Sequence, residues 1–200
     1  MICVFPLPKF AVAALTPCVA GAVLAGCVAS PAQDQAATRV GSVHAAPSST
    51  QLRPLGTANA SPKTQRPSAP AQLAVAGVRV GTHEGFDRVV VDLVGEGEPG
   101  WFVDYTSTPM QEITGKPLKV TGNAFLNINI DGTVYPYELG LDADQIKVDT
   151  PAETGNIIDV VNAGTYEGRS RVVVGLRSDL PYSVQVLEHP LRLVVDIVQS

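Results

Sequence analysis

The sequence predicts an all-β protein, a single antiparallel β-sandwich with an internal pseudo-repeat. Three observations carry that reading. From Leu73 onward apolar residues alternate, and Val and Ile dominate. Turn signals such as Glu98-Pro99-Gly100, Asp131-Gly132 and Glu167-Gly168 break the alternation at short intervals. One phrase is also written twice. GTHEGFDRVVVDL at residues 81–93 returns 83 positions later as GTYEGRSRVVVGL at 164–176, identical at nine of thirteen positions. No stretch of this region keeps a helical period.

In chain order, the amino terminus comes first and is not expected to be part of the fold. Lys9 is the only charge before Asp34, and an apolar run from Phe10 to Ala25 leads into Leu24-Ala25-Gly26-Cys27. A short basic start, an apolar centre and small residues at the end describe an export signal over residues 1–26. The Leu-Ala-Gly-Cys ending resembles the lipobox of bacterial lipoproteins. That resemblance implies acylation of Cys27, which becomes the first mature residue and anchors the chain at the extracytoplasmic face of the cell membrane. An uncleaved span would need about 20 apolar residues, and Pro17 inside the run weighs against it. Cys3 and Cys18 leave with the signal. The mature chain is then expected to have no thiol for a disulfide, a metal or catalysis, so the domain must hold itself by its core.

Residues 27–72 are expected to be the acylated cysteine and a disordered tether. Residues 28–72 are rich in Ala, Pro, Ser and Thr and contain no aromatic side chain. Such a composition buries too little apolar surface to offset the entropy of ordering. As a coil it would span about 35–40 Å on average.

The domain is expected over residues 73–200. Strands are expected near 73–80, 86–94, 101–106, 117–121, 124–130, 145–149, 156–162, 170–176, 183–187 and 191–198. Asp131-Gly132, between FLNINI and TVYPY, is a hairpin candidate. In the repeated phrase a period of two puts Val89, Val91 and Leu93 on one face and Arg88, Val90 and Asp92 on the other. The second copy places Val172, Val174 and Leu176 opposite Arg171, Val173 and Gly175. The last strand echoes it with Leu193, Val195 and Ile197 opposite Arg192, Val194 and Asp196. The apolar face belongs to the core. The other is a half-buried outer face or one packed under a loop. Gly85 and Gly168 suit a tight turn before each strand, so each phrase reads as a turn feeding a strand at equivalent places in two halves.

HEGFDRVVVDL, GKPLKVTGNAFLNI, EGRSRVVVGL and LPYSVQVLEHPLRLVVDI together resemble the AMIN-like domain of exported actinobacterial proteins, often lipoproteins. The likeness covers roughly 75–200. It implies a small β-sandwich at the cell envelope that binds or localises without catalysis, as AMIN domains help place cell-wall amidases and secretin subunits on peptidoglycan or at the division site.

The candidate binding residues are Arg88, Arg171 and Arg192, a row of donors for carboxylates or sugar hydroxyls, together with Trp101 and Tyr105. The arginines have a plainer role open to them, cross-strand pairing with Asp92 and Asp196. Among the aromatics, which include Phe102, Tyr135 and Tyr137, alternation allows at most half to face outward. From Leu73 onward there are 9 basic and 18 acidic side chains, a poor match to nucleic acid, which needs a basic footprint. No cofactor and no metal site is expected. Asp142, Asp144 and Asp149 lack the order and glycine of a calcium loop. No nucleophile elbow, Cys-His pair or phosphate loop is present, so no enzyme activity is expected. The expected function is an anchored envelope lipoprotein that binds peptidoglycan or an envelope protein. The alternatives are a lipid or glycolipid binder, with a large apolar cavity, and a hydrolase.

Overall fold

The computed structural model describes residues 51–199, so the expected signal, Cys27 and the tether as far as residue 50 lie outside the described residues. Ten strands follow in order: β1 (Lys63–Gln65), β2 (Gln72–His83), β3 (Phe86–Glu96), β4 (Gly100–Thr106), β5 (Ala124–Asp131), β6 (Lys147–Val148), β7 (Ile157–Tyr166), β8 (Arg169–Leu176), β9 (Tyr182–Leu187) and β10 (Arg192–Val198). Short 3-10 turns occupy Pro136–Leu139 and Ala143–Gln145. The strands form two sheets. Sheet I has the order β1-β4-β5-β8-β7, and sheet II the order β6-β2-β3-β10-β9.

The core follows from alternation. Val89, Val91 and Leu93 of β3, Val172, Val174 and Leu176 of β8, and Leu193, Val195 and Ile197 of β10 are all buried in one cluster with Leu126, Ile128 and Ile130 of β5. Fully burying one such side chain is worth about 1.5–3 kcal/mol. This cluster joins the two sheets into a sandwich.

The repeated phrase builds one hairpin in each sheet. β2 and β3 turn at Glu84-Gly85 in sheet II, and β7 and β8 turn at Glu167-Gly168 in sheet I. Gly85 and Gly168 have φ of 82° and 81°, values that a side chain would disfavour. The rest of each half repeats the exchange. β4 and β5 pair in sheet I, and β9 and β10 pair in sheet II. Sheet II therefore reads β2-β3-β10-β9 and sheet I reads β7-β8-β5-β4. Exchanging the two halves turns one order into the other. The halves are related by a pseudo-twofold, and each half gives one hairpin to each sheet.

Four expectations need correction. Residues 51–72 are not a free tether. Lys63–Gln65 pair with Trp101–Val103, Asn59 bridges Tyr182, and the Leu55 N–H donates to the Asp196 carboxylate at 2.6 Å. These bonds run mostly from backbone to partners far along the chain, which composition does not reveal. The segment 117–121 is not a strand. It crosses sheet I on its outer side, where the Thr121 carbonyl presses on Gly175 and the Thr121 N–H donates to Asp159 at 2.7 Å. The strand expected at 145–149 shrinks to Lys147–Val148 and runs parallel to β2, the one parallel strand pair among the described residues. Asp131-Gly132 does not close a hairpin. The chain passes there to sheet II, where Leu73 N–H donates to the Gly132 carbonyl and Val134 N–H to the Leu73 carbonyl, at 3.0 and 2.8 Å.

Candidate functional site

The three arginines do not form one row. Arg88 and Arg192 stand on the outer face of sheet II, and Arg171 on the outer face of sheet I. Arg88 donates from Nε and Nη2 to the buried Asp196 at 2.6 and 2.8 Å. Arg192 lies opposite Asp92 in register. The Asp92 carboxylate instead accepts from Arg79 at 2.7 and 2.6 Å, and that bonding holds the Arg79 guanidinium above its ordinary range. Arg171 donates from Nε to the Asn129 side-chain oxygen at 3.1 Å and from Nη1 to the Met110 carbonyl at 2.8 Å, and its Nη2 meets the Glu112 carboxylate. Burial pushes the Arg171 pKa down, and the charge of Asp104 opposes the shift. Burial likewise pushes the Asp104 carboxyl up, opposed by Arg171.

Trp101 and Tyr105 lie on the core face of β4 with Val103. Trp101 is 8% exposed. The Tyr105 hydroxyl donates to the Leu180 carbonyl at 2.7 Å and accepts from the Leu180 N–H at 2.9 Å. Its ring packs edge-on against Tyr182, 5.6 Å between centroids. The chain has few aromatic residues, and the core takes these. The exposed rings are elsewhere. Tyr135 and Tyr137 stack with centroids 5.5 Å apart and planes 10° apart, and Tyr137 is 71% exposed.

These tyrosines border a concave region beside β7, one of the two edge strands of sheet I. Two clefts share the wall Asn162–Thr165. One, of about 380 Å³, is lined by Gln111, Glu112, Thr114, Tyr166, Arg169 and Arg171 among others. The other, of about 340 Å³, is lined by Val75, Tyr135, Pro136, Tyr137 and Ile146 among others. A β-bulge between Asn162 and Gly164 breaks the ladder at this wall. Bulges re-aim side chains and are frequent beside functional sites. At the rim Arg169 Nε donates to Asp131 at 2.6 Å, which holds the guanidinium above its ordinary range.

The lining offers amides, hydroxyls and guanidinium groups beside aromatic faces. That set suits a polar ligand with hydroxyl or carboxylate groups, since a few placed polar groups fix orientation in such a site. Of the expected site residues only Arg171 lies in a cleft beside β7. Arg169, Tyr166 and Asn162 line the first cleft without being among the residues the sequence motifs point to. A signal for two of them was present. The two copies of the phrase differ at four positions, and Tyr166 and Arg169, in place of His83 and Phe86, are two of the four.

Among the described residues no helix is long and apolar enough to cross a membrane. Comparison with curated proteins and with solved structures gives no match. The AMIN-like domain model matches residues 73–199, a span that holds both copies of the phrase and the whole of both cleft linings. Domains of this kind are extracytoplasmic and associated with the cell wall. With most of its length inside that match, the chain belongs to the AMIN-like domain family.

Proposed function

We propose that the protein is an envelope lipoprotein, anchored through an acyl group on Cys27, whose domain binds cell-wall glycan or an envelope protein and so localises or regulates wall machinery. The observation that carries this reading is the pair of clefts beside β7, where stacked tyrosines and polar side chains meet on one concave surface. Sugar rings lie on aromatic faces while their hydroxyls need hydrogen-bonding groups within reach. The function is non-catalytic. The Thr165 and Ser170 hydroxyls bond each other at 2.7 Å, and Ser170 bonds Thr133 at 3.0 Å, so neither is poised against a base. The interior that a lipid-binding role would need to open is instead one cluster of packed apolar side chains from both sheets.

The test is co-sedimentation of the full chain, in mild detergent, with purified cell-wall sacculi across a salt series. Binding is expected to survive moderate salt and to weaken for Tyr137→Ala. That exposed position should change stability by no more than about 0.5 kcal/mol. Failure of the wild-type chain to sediment at any salt would remove wall glycan as the ligand.

A further inference from the structure

The pseudo-twofold sets up a comparison inside one chain. Arg88 and Arg171 occupy the same place in the two copies of the phrase. Their cross-strand neighbours also correspond, because Asp196 faces Arg88 as Asn129 faces Arg171. In the first case the neighbour is a buried carboxylate, and the ion pair closes within the sheet. In the second it is an amide, which satisfies one N–H and cancels no charge.

The carboxylate that touches Arg171 comes from outside the sheet. Glu112 sits on the long connection between β4 and β5, and its side chain is 37% exposed against 17% for Arg171. Asp104 acts on Arg171 through space, with no hydrogen bond between them. The corresponding connection between β9 and β10 spans only residues 188–191. The long loop is therefore found where the carboxylate directly paired with the arginine is missing, Asp104 of β4 being near Arg171 but not bonded to it. A carboxylate on a strand is fixed, whereas one on an exposed loop can be exchanged. Glu112 and Arg171 both line the first cleft, beside Asn162 and Tyr166.

We propose that this cleft is a binding site for a ligand carboxylate, which takes the Arg171 guanidinium in place of Glu112. Glu112 is the resident occupant and lowers the apparent affinity until it is displaced. The source of the carboxylate rests on the wall-binding reading above: the stem peptides or the glycan of the wall.

The first probes are N-acetylmuramic acid, which carries a carboxylate, and N-acetylglucosamine, which does not. They are titrated into the full chain in detergent while the Arg171 Nε–H resonance is followed by NMR. The acidic sugar is expected to shift that resonance and the neutral sugar to leave it in place. Glu112→Gln should tighten binding of the acidic sugar about tenfold, and Asn129→Asp, which restores the closed pair, should weaken it about tenfold. Glu112 is on an exposed loop, so its variant tests the site even if changes at Arg171 disturb folding. Equal responses to the two sugars, or an unchanged affinity in Glu112→Gln, would overturn the proposal. Muropeptides with stem-peptide carboxylates and peptide-free glycan strands with lactyl carboxylates then separate the two sources. Sacculus binding that is untouched by Asn129→Asp would sink this inference and leave the wall-binding reading standing. Absence of sacculus binding, with the acidic sugar still seated on Arg171, would do the reverse.

Discussion

Asp196→Asn would give the closed half of the domain the chemistry of the open half. Asp196 is fully buried and accepts three hydrogen bonds, from Arg88 Nε at 2.6 Å, Arg88 Nη2 at 2.8 Å and the Leu55 N–H at 2.6 Å. An amide has one acceptor oxygen, and its NH2 must point at another donor. The Arg88 charge is then left without its partner. Breaking a buried pair in this way costs about 3–5 kcal/mol. Arg88 keeps some contact with water, which places the cost near the lower end, about 3 kcal/mol. For a domain of this size each kcal/mol moves Tm by about 2–4 °C, so the expected fall is about 6–12 °C. The segment around Leu55 should also loosen. Thermal unfolding followed by circular dichroism gives the first quantity, and amide exchange at Leu55 gives the second. A Tm change under about 2 °C, with exchange at Leu55 unaltered, would refute the reasoning.

Two further outcomes follow from the packing. Gly175→Ala places a methyl group against the Thr121 carbonyl, and forcing that backbone apart should cost about 1–3 kcal/mol; a Tm equal to that of the wild type would show that the crossing segment is not pressed on the sheet. Burial raises the pKa of Tyr182 above its ordinary value, with the charges of Asp104 and Tyr105 adding to the shift, and burial raises Tyr105 too. A raised folded-state pKa means the native state holds the proton more tightly than the unfolded chain. That contribution to stability is complete below pH of about 10 and is lost as the pH rises through the folded-state value. Tyr182→Phe should flatten this alkaline limb in urea melts taken between neutral and strongly alkaline pH, whereas an unchanged limb would assign it to other groups.

The parts of the fold legible in the sequence are those with local causes. β3, β8 and β10 announce themselves because Val at alternate positions feeds one face, and the two Glu-Gly turns mark the hairpins of β3 and β8. Period two tells which residues share a face. It does not tell which sheet a strand joins, and so three arginines at equivalent strand starts looked like one row. Their division between two sheets depends on how the halves exchange hairpins, a long-range outcome with no local marker. Trp101 and Tyr105 illustrate a related ambiguity: period two places them on one face of β4 with Val103, but does not say whether that face is the core or the surface. Residues 51–66 escaped notice for another reason. They are held by backbone groups and by acceptors such as Asp196, and a stretch with no apolar alternation gives no sign of a partner 141 positions away.

Both repeated arginines hold a segment that crosses their own sheet. Arg88 donates to the Arg53 carbonyl at 3.3 Å, and Arg171 to the Met110 carbonyl at 2.8 Å. The shared task accounts for an arginine in each copy. What differs is how firmly the segment is tied. At the first arginine, Asp196 also takes the Leu55 N–H, so the strap is bound at a donor and at an acceptor by one closed ion pair. At the second, Asn129 bonds the guanidinium but not the segment, and Glu112 contributes from the segment itself. Lifting the second segment carries Glu112 into solvent and uncovers the Arg171 guanidinium it had covered, so water takes up both charges. Lifting the first leaves an intact ion pair behind but strands the Leu55 bond to a charged group, worth about 1.5–3 kcal/mol. Local opening should therefore be easier over residues 110–114 than over 53–55, by roughly tenfold or more in amide exchange. Slower exchange over 110–114 would mean that the loop carrying Glu112 is the better fixed of the two, and an exchangeable carboxylate at Arg171 would then have no physical basis.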